Sequence, residues 1–280
     1  MAKDRLLTSR SQGPPLPLGG GPRLDPFEGS GETIKWLKRL DTDREGNEGF
    51  VFQVLIGFQE YALKVFKFSH PRLNRYYRDL CLKYNTLPLN EAIWYTDPFY
   101  AECRAYGKIQ EGFDTRVVTE QTAVKCYGYL LLSRNDTRLE NEGIDLDHEL
   151  LDPELREALG GDIRVRAIVK HFEKNPATLH AGNIRRAWRS VYLLNSRLKI
   201  YNMDVKADNF IGYRLVDFGS ENWAEANRLK DRVNFKNMIE EEEIPTRLQV
   251  MARSEHQLRS RGNPEWGDRE LPKKRRIISE

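Results

Sequence analysis

The chain has 280 residues, of which 39% are hydrophobic and 31% are charged, and its formal net charge is +3. This length and composition are typical of a globular protein with one or two domains and exclude a fibrous one. So small a net charge gives no reason to expect direct binding to nucleic acid, and no apolar run approaches the ~20 residues that span a bilayer. We therefore expect neither a nucleic acid nor a membrane as a partner.

Composition divides the chain into three parts. Residues 1–30 are rich in Gly and Pro, which predicts a disordered tail. Residues 31–235 hold the regular apolar patterns and predict one folded domain. Residues 236–280 contain the acidic run 240–243 and the basic run 273–276, with few large apolar residues at regular spacing. We expect this last part to be a charged, mostly disordered tail.

The folded domain begins with strand-like runs. Phe50–Leu55 and Tyr61–Phe66 are rich in β-branched and aromatic residues, and Gly57 marks a turn between them. A helix is predicted from Pro98 to Gln110, because Asp97 suits the N-cap and proline suits the first helical position.

Two further strands and a longer helix follow. The strands are predicted at Ala123–Leu132 and Val165–Lys170. The helix is predicted at Ile184–Leu198, where apolar residues recur at steps of three and four. This order of strands, helix, strands and helix predicts an α+β fold.

Two polar motifs come directly after the long helix. Asp204, Lys206 and Asn209 form D-x-K-x-x-N, and Asp217 opens D-F-G 13 residues after Asp204. Each motif alone fits an ordinary turn, but together and in this order they are typical of a protein-kinase phosphoryl-transfer site. Asp204 would be the base or would orient the substrate, and Lys206 would neutralise charge on the transferred group. Asn209 and Asp217 would be the magnesium ligands.

A lysine and a glutamate earlier in the chain fit the same chemistry. Lys64 ends Tyr-Ala-Leu-Lys, which matches the V-A-I-K strand of kinases, and alternation places Ala62 on its face. Glu102 lies among core-facing residues of the predicted helix, where an unpaired carboxylate is costly. Lys64 would be its partner and would bind the nucleotide phosphates. Taken separately, a solvated edge-strand lysine and a boundary glutamate turned to solvent remain open.

A partial glycine-rich loop precedes the first strand. Gly46, Gly49 and Val51 supply G-x-x-G-x-V, the second half of the kinase phosphate loop, while Arg44 stands where the first glycine would be. The backbone amides from Gly46 to Gly49 could cover phosphates. A simple β-hairpin turn is the open alternative.

With these motifs, the chain resembles the protein-kinase superfamily from about residue 33 to about residue 225. It is more closely similar to a fungal family of kinase-like proteins grouped with the inner-kinetochore Sim-four complex subunit Fta-two. The resemblance implies a bilobal protein-kinase-like fold with a β-rich N-lobe and a reduced helical C-lobe, and for some members a role at the centromere. The segments that carry it are Tyr61–Phe68, Glu102–Gly107, Ala123–Leu130 and Arg166–Lys170.

The chain departs from an ordinary kinase in several ways. Asn202 and Met203 replace the His-Arg pair before the catalytic aspartate, and no A-P-E motif follows Gly219. We expect the 61 residues after Gly219 to be too few for a peptide-substrate platform. The 38 residues from Lys64 to Glu102 include a basic aromatic patch at residues 72–78, which could dock a partner protein.

These features leave three functions open. The chain could be an atypical kinase-like protein that binds ATP and Mg²⁺ and transfers the γ-phosphoryl group to an unknown acceptor. It could instead be a pseudokinase scaffold that acts as a kinetochore or centromere subunit through protein partners. A small-molecule kinase, which needs no peptide platform, is the third. The basic run at residues 273–276 and the resemblance favour the nucleus over the cytoplasm.

Overall fold

A six-stranded antiparallel sheet is the largest element of the computed structural model. The structure describes residues 5–6, 22–29, 31–41, 48–68, 89–132, 153–161, 164–202, 204–219 and 221–222. The sheet has the order β1-β2-β3-β4-β6-β5, so β5 forms one edge. Its strands are β1 (Arg5–Leu6), β2 (Thr33–Arg39), β3 (Gly49–Ile56), β4 (Gln59–Phe66), β5 (Cys126–Leu132) and β6 (Val165–His171).

The four predicted strands are confirmed, but their bounds differ: β3, β4 and β6 are each one or two residues longer than predicted, and β5 is shorter. Gly57 turns the chain between β3 and β4 with φ of +59°, a conformation that favours glycine. Strand β5 begins at Cys126 rather than at Ala123. The preceding residues leave the sheet because Val124 donates its backbone N–H to Leu215 O at 2.8 Å. This contact ties the edge of the sheet to the region of the D-F-G motif.

Four α-helices lie in the described part of the chain. They are α1 (Leu89–Thr96), α2 (Pro98–Asp114), α3 (Pro153–Ala158) and α4 (Ile184–Leu193). The predicted cap of α2 is confirmed, since the Asp97 carboxylate accepts the Phe99 backbone N–H at 2.9 Å. The predicted long helix is also confirmed, but its last turn, Leu194–Leu198, is π-helical and ends where Lys199 adopts a left-handed conformation. We did not predict α1 or α3.

The two faces of the sheet bury separate apolar clusters. One face packs on helices α2 and α4 through residues such as Phe66 and Ile168. The other face carries Phe52, Val54 and Leu63, which belong to a second cluster. The alternation of the strands produces this division, because successive side chains point to opposite faces. The α+β class is therefore confirmed.

Short elements carry the polar motifs. Strand β7 (Tyr201–Asn202) pairs with β10 (Glu221–Asn222), and a 3₁₀ turn covers Ala207–Asn209. Strands β8 (Phe210–Ile211) and β9 (Arg214–Leu215) then form a hairpin. In the described residues, no helix has the length and apolarity to cross a membrane.

The N-terminal boundary of the domain differs from the expected one. Residues 22–29, which we call the strap, lie inside the expected tail of residues 1–30, yet they pack on the sheet, with Leu24 and Phe27 buried. The expected C-terminal tail at residues 236–280, the patch at residues 72–78 and Gly46 all lie outside the described residues.

Candidate nucleotide site

Lys64 is the centre of the candidate site. The register of β4 against β3 sets Lys64 opposite Val51, on the sheet face that also carries Ala62. Its ammonium group forms an ion pair with Glu102 and lies 2.8 Å from Asp217 Oδ1. The structure thus joins three of the predicted residues, which come from β4, α2 and the D-F-G motif.

Glu102 has a second cation that we did not predict. Its side chain is fully buried, and its Oε2 lies 2.6 Å from Lys170 Nζ. Lys170 also donates to Val216 O at 2.6 Å. Strand β6 sets Lys170 opposite Ala62, on the face of Lys64. The apolar run Ala167–Val169 before Lys170 was the available signal, because a lysine beside such a run must reach water or an anion, but this run does not identify Glu102 as the partner.

The charged groups of the site shift one another's pKa values. Burial alone would lower the pKa of Lys64, but Asp217, Glu102 and Glu48 together raise it well above its usual value. Burial likewise acts to raise the pKa of Asp217, but Lys64 and Lys170 hold it far below its usual value. Burial raises the pKa of Glu102, against the effect of the two lysines. The close contacts with both ammonium groups favour an ionised Glu102.

The D-x-K-x-x-N loop is organised around Asp204. Asn209 donates from Nδ2 to Asp204 O at 2.7 Å and to Asp204 Oδ2 at 3.1 Å. Lys206 Nζ lies 2.6 Å from the same Oδ2. Asp204 and Lys206 are both partly open to solvent, whereas Asn209 is buried. The carboxylate is therefore held in a fixed orientation at the surface.

Backbone and amide contacts fix this loop against the D-F-G motif. Asn202, which replaces a residue of the kinase pattern, donates from Nδ2 to Asp217 O at 2.7 Å and accepts the Asp204 N–H at 3.1 Å. Val216 also donates its N–H to Asn209 O at 3.0 Å. One asparagine side chain therefore connects the two motifs.

Phe218 anchors the D-F-G turn in the core. Its ring is fully buried and meets Tyr106 of α2 edge to face, with ring centroids 5.2 Å apart. Asp217 Oδ1 accepts the Gly219 backbone N–H at 3.0 Å, which closes the turn. The position of Asp217 is thus coupled to helix α2, which also carries Glu102.

The glycine-rich segment contributes a carboxylate as well as glycines. Gly49 begins β3, and a Cβ there would lie 2.2 Å from Val65 O, so the close approach of β4 requires a glycine. The Glu48 carboxyl reaches the D-F-G turn, because a Cβ on Gly219 would lie 1.9 Å from its Oε2. Burial raises the pKa of Glu48 to about 7, while Lys64 acts to lower it. We did not predict this residue.

The comparisons with known proteins assign a family. The sequence model of the family "Kinetochore Sim4 complex subunit FTA2" matches residues 12–222, about three quarters of the chain. The chain belongs to this family. The resemblance stated from the sequence is therefore confirmed, and the match includes the strap as well as every predicted site residue.

The other comparisons add little. No curated protein matches the chain. Among solved structures, the chain is similar to one titled "Structure of vaccinia related kinase 3", with 12% identity and a TM-score of 0.32. The match covers 73% of this chain and 53% of that one, so this chain spans about half the length of that protein. A likeness this distant carries no argument. The kinase-like interpretation rests instead on the lysine–glutamate pair between strand and helix, which active kinases require.

The residues at the centre have suitable chemistry for Mg²⁺. Asn209 uses its amide N–H groups for Asp204, which leaves Oδ1 as a possible ligand atom, and the side chain of Asp217 is 36% exposed. Carboxylate and amide oxygens suit Mg²⁺, which usually keeps several waters and shares its shell with phosphates. Within the described part of the chain, no group of three His, Cys, Asp or Glu residues could hold a metal ion alone. The donor set therefore fits a cation that arrives with a nucleotide.

Proposed function

We propose that this member of the FTA2 family binds Mg-ATP in the candidate site as a subunit of a kinetochore complex. One observation carries the proposal: Lys64 contacts Glu102 and Asp217 together, although 38 and 153 residues separate them from it in sequence. Protein kinases need this lysine–glutamate pair and the D-F-G aspartate in place at the same time. Taking charged groups out of water costs several kcal/mol per ion, and clusters of such groups with strongly shifted pKa values are typical of functional sites, which supports this proposal.

Each residue has a role in this proposal. Lys64 binds the phosphates, and Val51 and Ala62 lie beside it on the sheet face that would meet the base. Asn209 and Asp217 hold Mg²⁺, which supplies charge neutralisation on the phosphates. Glu102 keeps Lys64 oriented.

The proposal includes phosphoryl transfer, in which an acceptor hydroxyl oxygen would bond to the γ-phosphorus of ATP while the bond from that phosphorus to the bridging oxygen breaks and ADP leaves. Asp204 would accept the hydroxyl proton, since its carboxylate is oriented by Asn209 and is open to solvent. Lys206, 2.6 Å from that carboxylate, would balance charge on the transferred group.

Glu48 favours a second candidate function. Its carboxyl lies beside Gly219 and the Asp217 carboxylate, in the region that phosphates would enter. An anion there opposes nucleotide binding. A protein scaffold that binds its kinetochore partners without ATP is therefore the alternative.

A thermal-shift assay separates the two functions. Mg-ATP at about 100 times its dissociation constant should stabilise the protein by about 2.7 kcal/mol, which raises the melting temperature by roughly 5 °C or more. The Asp217→Asn variant should lose this shift. Asp114→Asn, at the exposed end of α2, is the control and should keep it. If the wild-type protein shows no shift, nucleotide binding is ruled out and the scaffold remains.

Catalysis needs a separate test. Wild-type protein and Asp204→Ala are incubated with ATP labelled at the γ-phosphate. Transfer to the protein or to a co-purified partner by the wild type alone would support the role of Asp204. Equal labelling of both would mean that Asp204 has no catalytic role.

The family description supports nuclear localisation and kinetochore membership, which belong to the same proposal. A fluorescent fusion should lie in the nucleus and overlap a centromere marker. A diffuse cytoplasmic signal would contradict membership in a kinetochore complex.

A further inference from the structure

The strap passes so close to helix α2 that only glycine fits beneath it. A Cβ on Gly107, near the middle of α2, would lie 2.7–2.9 Å from the backbone N, Cα and C atoms of Arg23. Real Cβ atoms do not approach backbone atoms this closely, so the backbone of the strap rests directly on the helix. Gly107 lies five residues after Glu102 on the same helix.

The strap also pairs with the edge strand. Phe27 donates its N–H to Tyr129 O at 2.9 Å, and Tyr129 donates its N–H to Asp25 O at 3.1 Å. Gly128 of β5 has φ of +138°, and a Cβ there would lie 2.6 Å from Phe27 N. The strap therefore adds backbone hydrogen bonds to a strand that would otherwise be an open edge.

Side chains fix the strap on both sides of that edge. Leu24 belongs to the apolar cluster that contains Cys103 and Tyr106 of α2. Phe27 belongs to the cluster on the opposite sheet face, where its ring meets Tyr61 edge to face at 5.3 Å between centroids. The strap thus crosses the edge of the sheet and connects its two faces.

We propose that the strap positions helix α2, and through it Glu102, for the ion pairs with Lys64 and Lys170. The start of α2 is already held by Asp97, which pairs with buried Arg166 at 2.7 Å. The strap supplies the second attachment, beyond Glu102. Displacement of the strap would let α2 move and would disrupt the site without any change in the site itself. The expected loss of Mg-ATP affinity on displacement of the strap rests on the proposed function, whereas the positioning of α2 by the strap does not.

The Gly107→Ala substitution tests whether the strap packs on α2, because the sign of the change in melting temperature depends on it. In a helix interior without a covering segment, Gly107→Ala should raise the melting temperature by roughly 2–4 °C, since alanine is the better helix former. Beneath a seated strap it should lower the melting temperature by about 3 °C or more, because backbone atoms must move. In a background with Leu24→Asp and Phe27→Asp, which cannot stay buried, the effect should become stabilising. Stabilisation by Gly107→Ala in the otherwise wild-type protein would overturn the proposal.

Hydrogen exchange of the wild-type protein also tests whether the strap packs on β5 and α2. This measurement needs no variant, so it decides the question even if the protein with Leu24→Asp and Phe27→Asp does not fold. The Phe27 and Tyr129 amides should exchange at least about 100-fold more slowly than in an unstructured peptide, because both donate hydrogen bonds between the strap and β5. Unprotected exchange at Phe27 would show that the strap is not seated.

Mg-ATP affinity tests the positioning role. Gly107→Ala should weaken Mg-ATP binding at least about tenfold and speed amide exchange in α2. Gly160→Ala is the matched control: its φ of +66° strains an alanine and nothing lies within 4 Å, so it lowers stability without touching α2. It should leave the affinity unchanged. Equal affinity in Gly107→Ala and the wild type would refute the positioning role. If the wild type itself binds no Mg-ATP, the proposed function fails, and the melting and exchange results still decide the placement of α2.

Discussion

The two lysines that share Glu102 allow a double-mutant cycle. Lys64→Met and Lys170→Met each remove one cation from a fully buried carboxylate. Since the other lysine remains, each single variant should cost about 1.5–3 kcal/mol, the range for a hydrogen bond to a charged group. The double variant leaves Glu102 without a cation, and an uncompensated buried charge costs about 3–5 kcal/mol. In either single variant, removal of the second lysine should therefore cost about 3–5 kcal/mol instead of about 1.5–3 kcal/mol. The stability lost in the double variant should exceed the summed losses of the two single variants by about 2 kcal/mol.

The assay is urea unfolding of the four proteins at pH 7. A control adds Glu102→Gln to the double variant and should remove most of the excess loss, because the buried group is then neutral. The excess should also shrink at low pH. Burial raises the pKa of Glu102 and no cation then opposes it, so the folded state takes up a proton more readily than the unfolded one and stability falls as pH rises. Additivity within about 0.5 kcal/mol would refute the shared contact.

Three further predictions concern the surroundings of the site. The pKa of Glu48 in the folded protein is about 7, above its value in the unfolded chain. Its contribution to stability is therefore complete below about pH 4 and is lost as the pH rises through 7. Glu48→Gln should abolish this pH dependence in thermal melts and should tighten Mg-ATP binding at pH 8. Gly219→Ala places a Cβ 1.9 Å from Glu48 Oε2, so it should displace that flexible side chain and reproduce the flatter pH profile, whereas an unchanged profile would place Glu48 elsewhere. Arg166→Met leaves the buried Asp97 carboxylate without its cation and should cost about 3–5 kcal/mol in urea unfolding, while adding Asp97→Asn to that variant neutralises the carboxyl group, keeps an N-cap oxygen and should recover part of the loss.

The sequence predicted those parts of the fold whose signals are local. Strands β3 and β4 follow from their β-branched and aromatic runs, and the start of α2 follows from Asp97 and Pro98. The same is true of the motif residues, because Asp204, Asn209 and Asp217 lie within one short stretch. Lys64 and Glu102 were accessible through their order along the chain and through strand and helix periodicity.

The parts that the sequence did not predict depend on contacts between distant segments. The strap has the composition of a tail, rich in Gly and Pro, and only its pairing with Tyr129 and its seat on Gly107 reveal it as part of the fold. Lys170 lies in a predicted strand whose sequence gives no sign of a role in the site. Its role emerges only when β6 pairs with β4 and brings it to Glu102. No local pattern encodes either contact.

The choice between the two proposed functions depends on the charge and position of one residue, Glu48. Lys64 and Lys170 balance Glu102 and Asp217, so these four groups are together neutral. Glu48 adds a third carboxyl that has no lysine of its own in this set, and its pKa near 7 means that it is half-ionised at neutral pH. When Glu48 is protonated or turned outward, phosphates with Mg²⁺ can approach Lys64 without meeting an unbalanced anion. When it is ionised and turned inward, the same fold is a scaffold with a closed site.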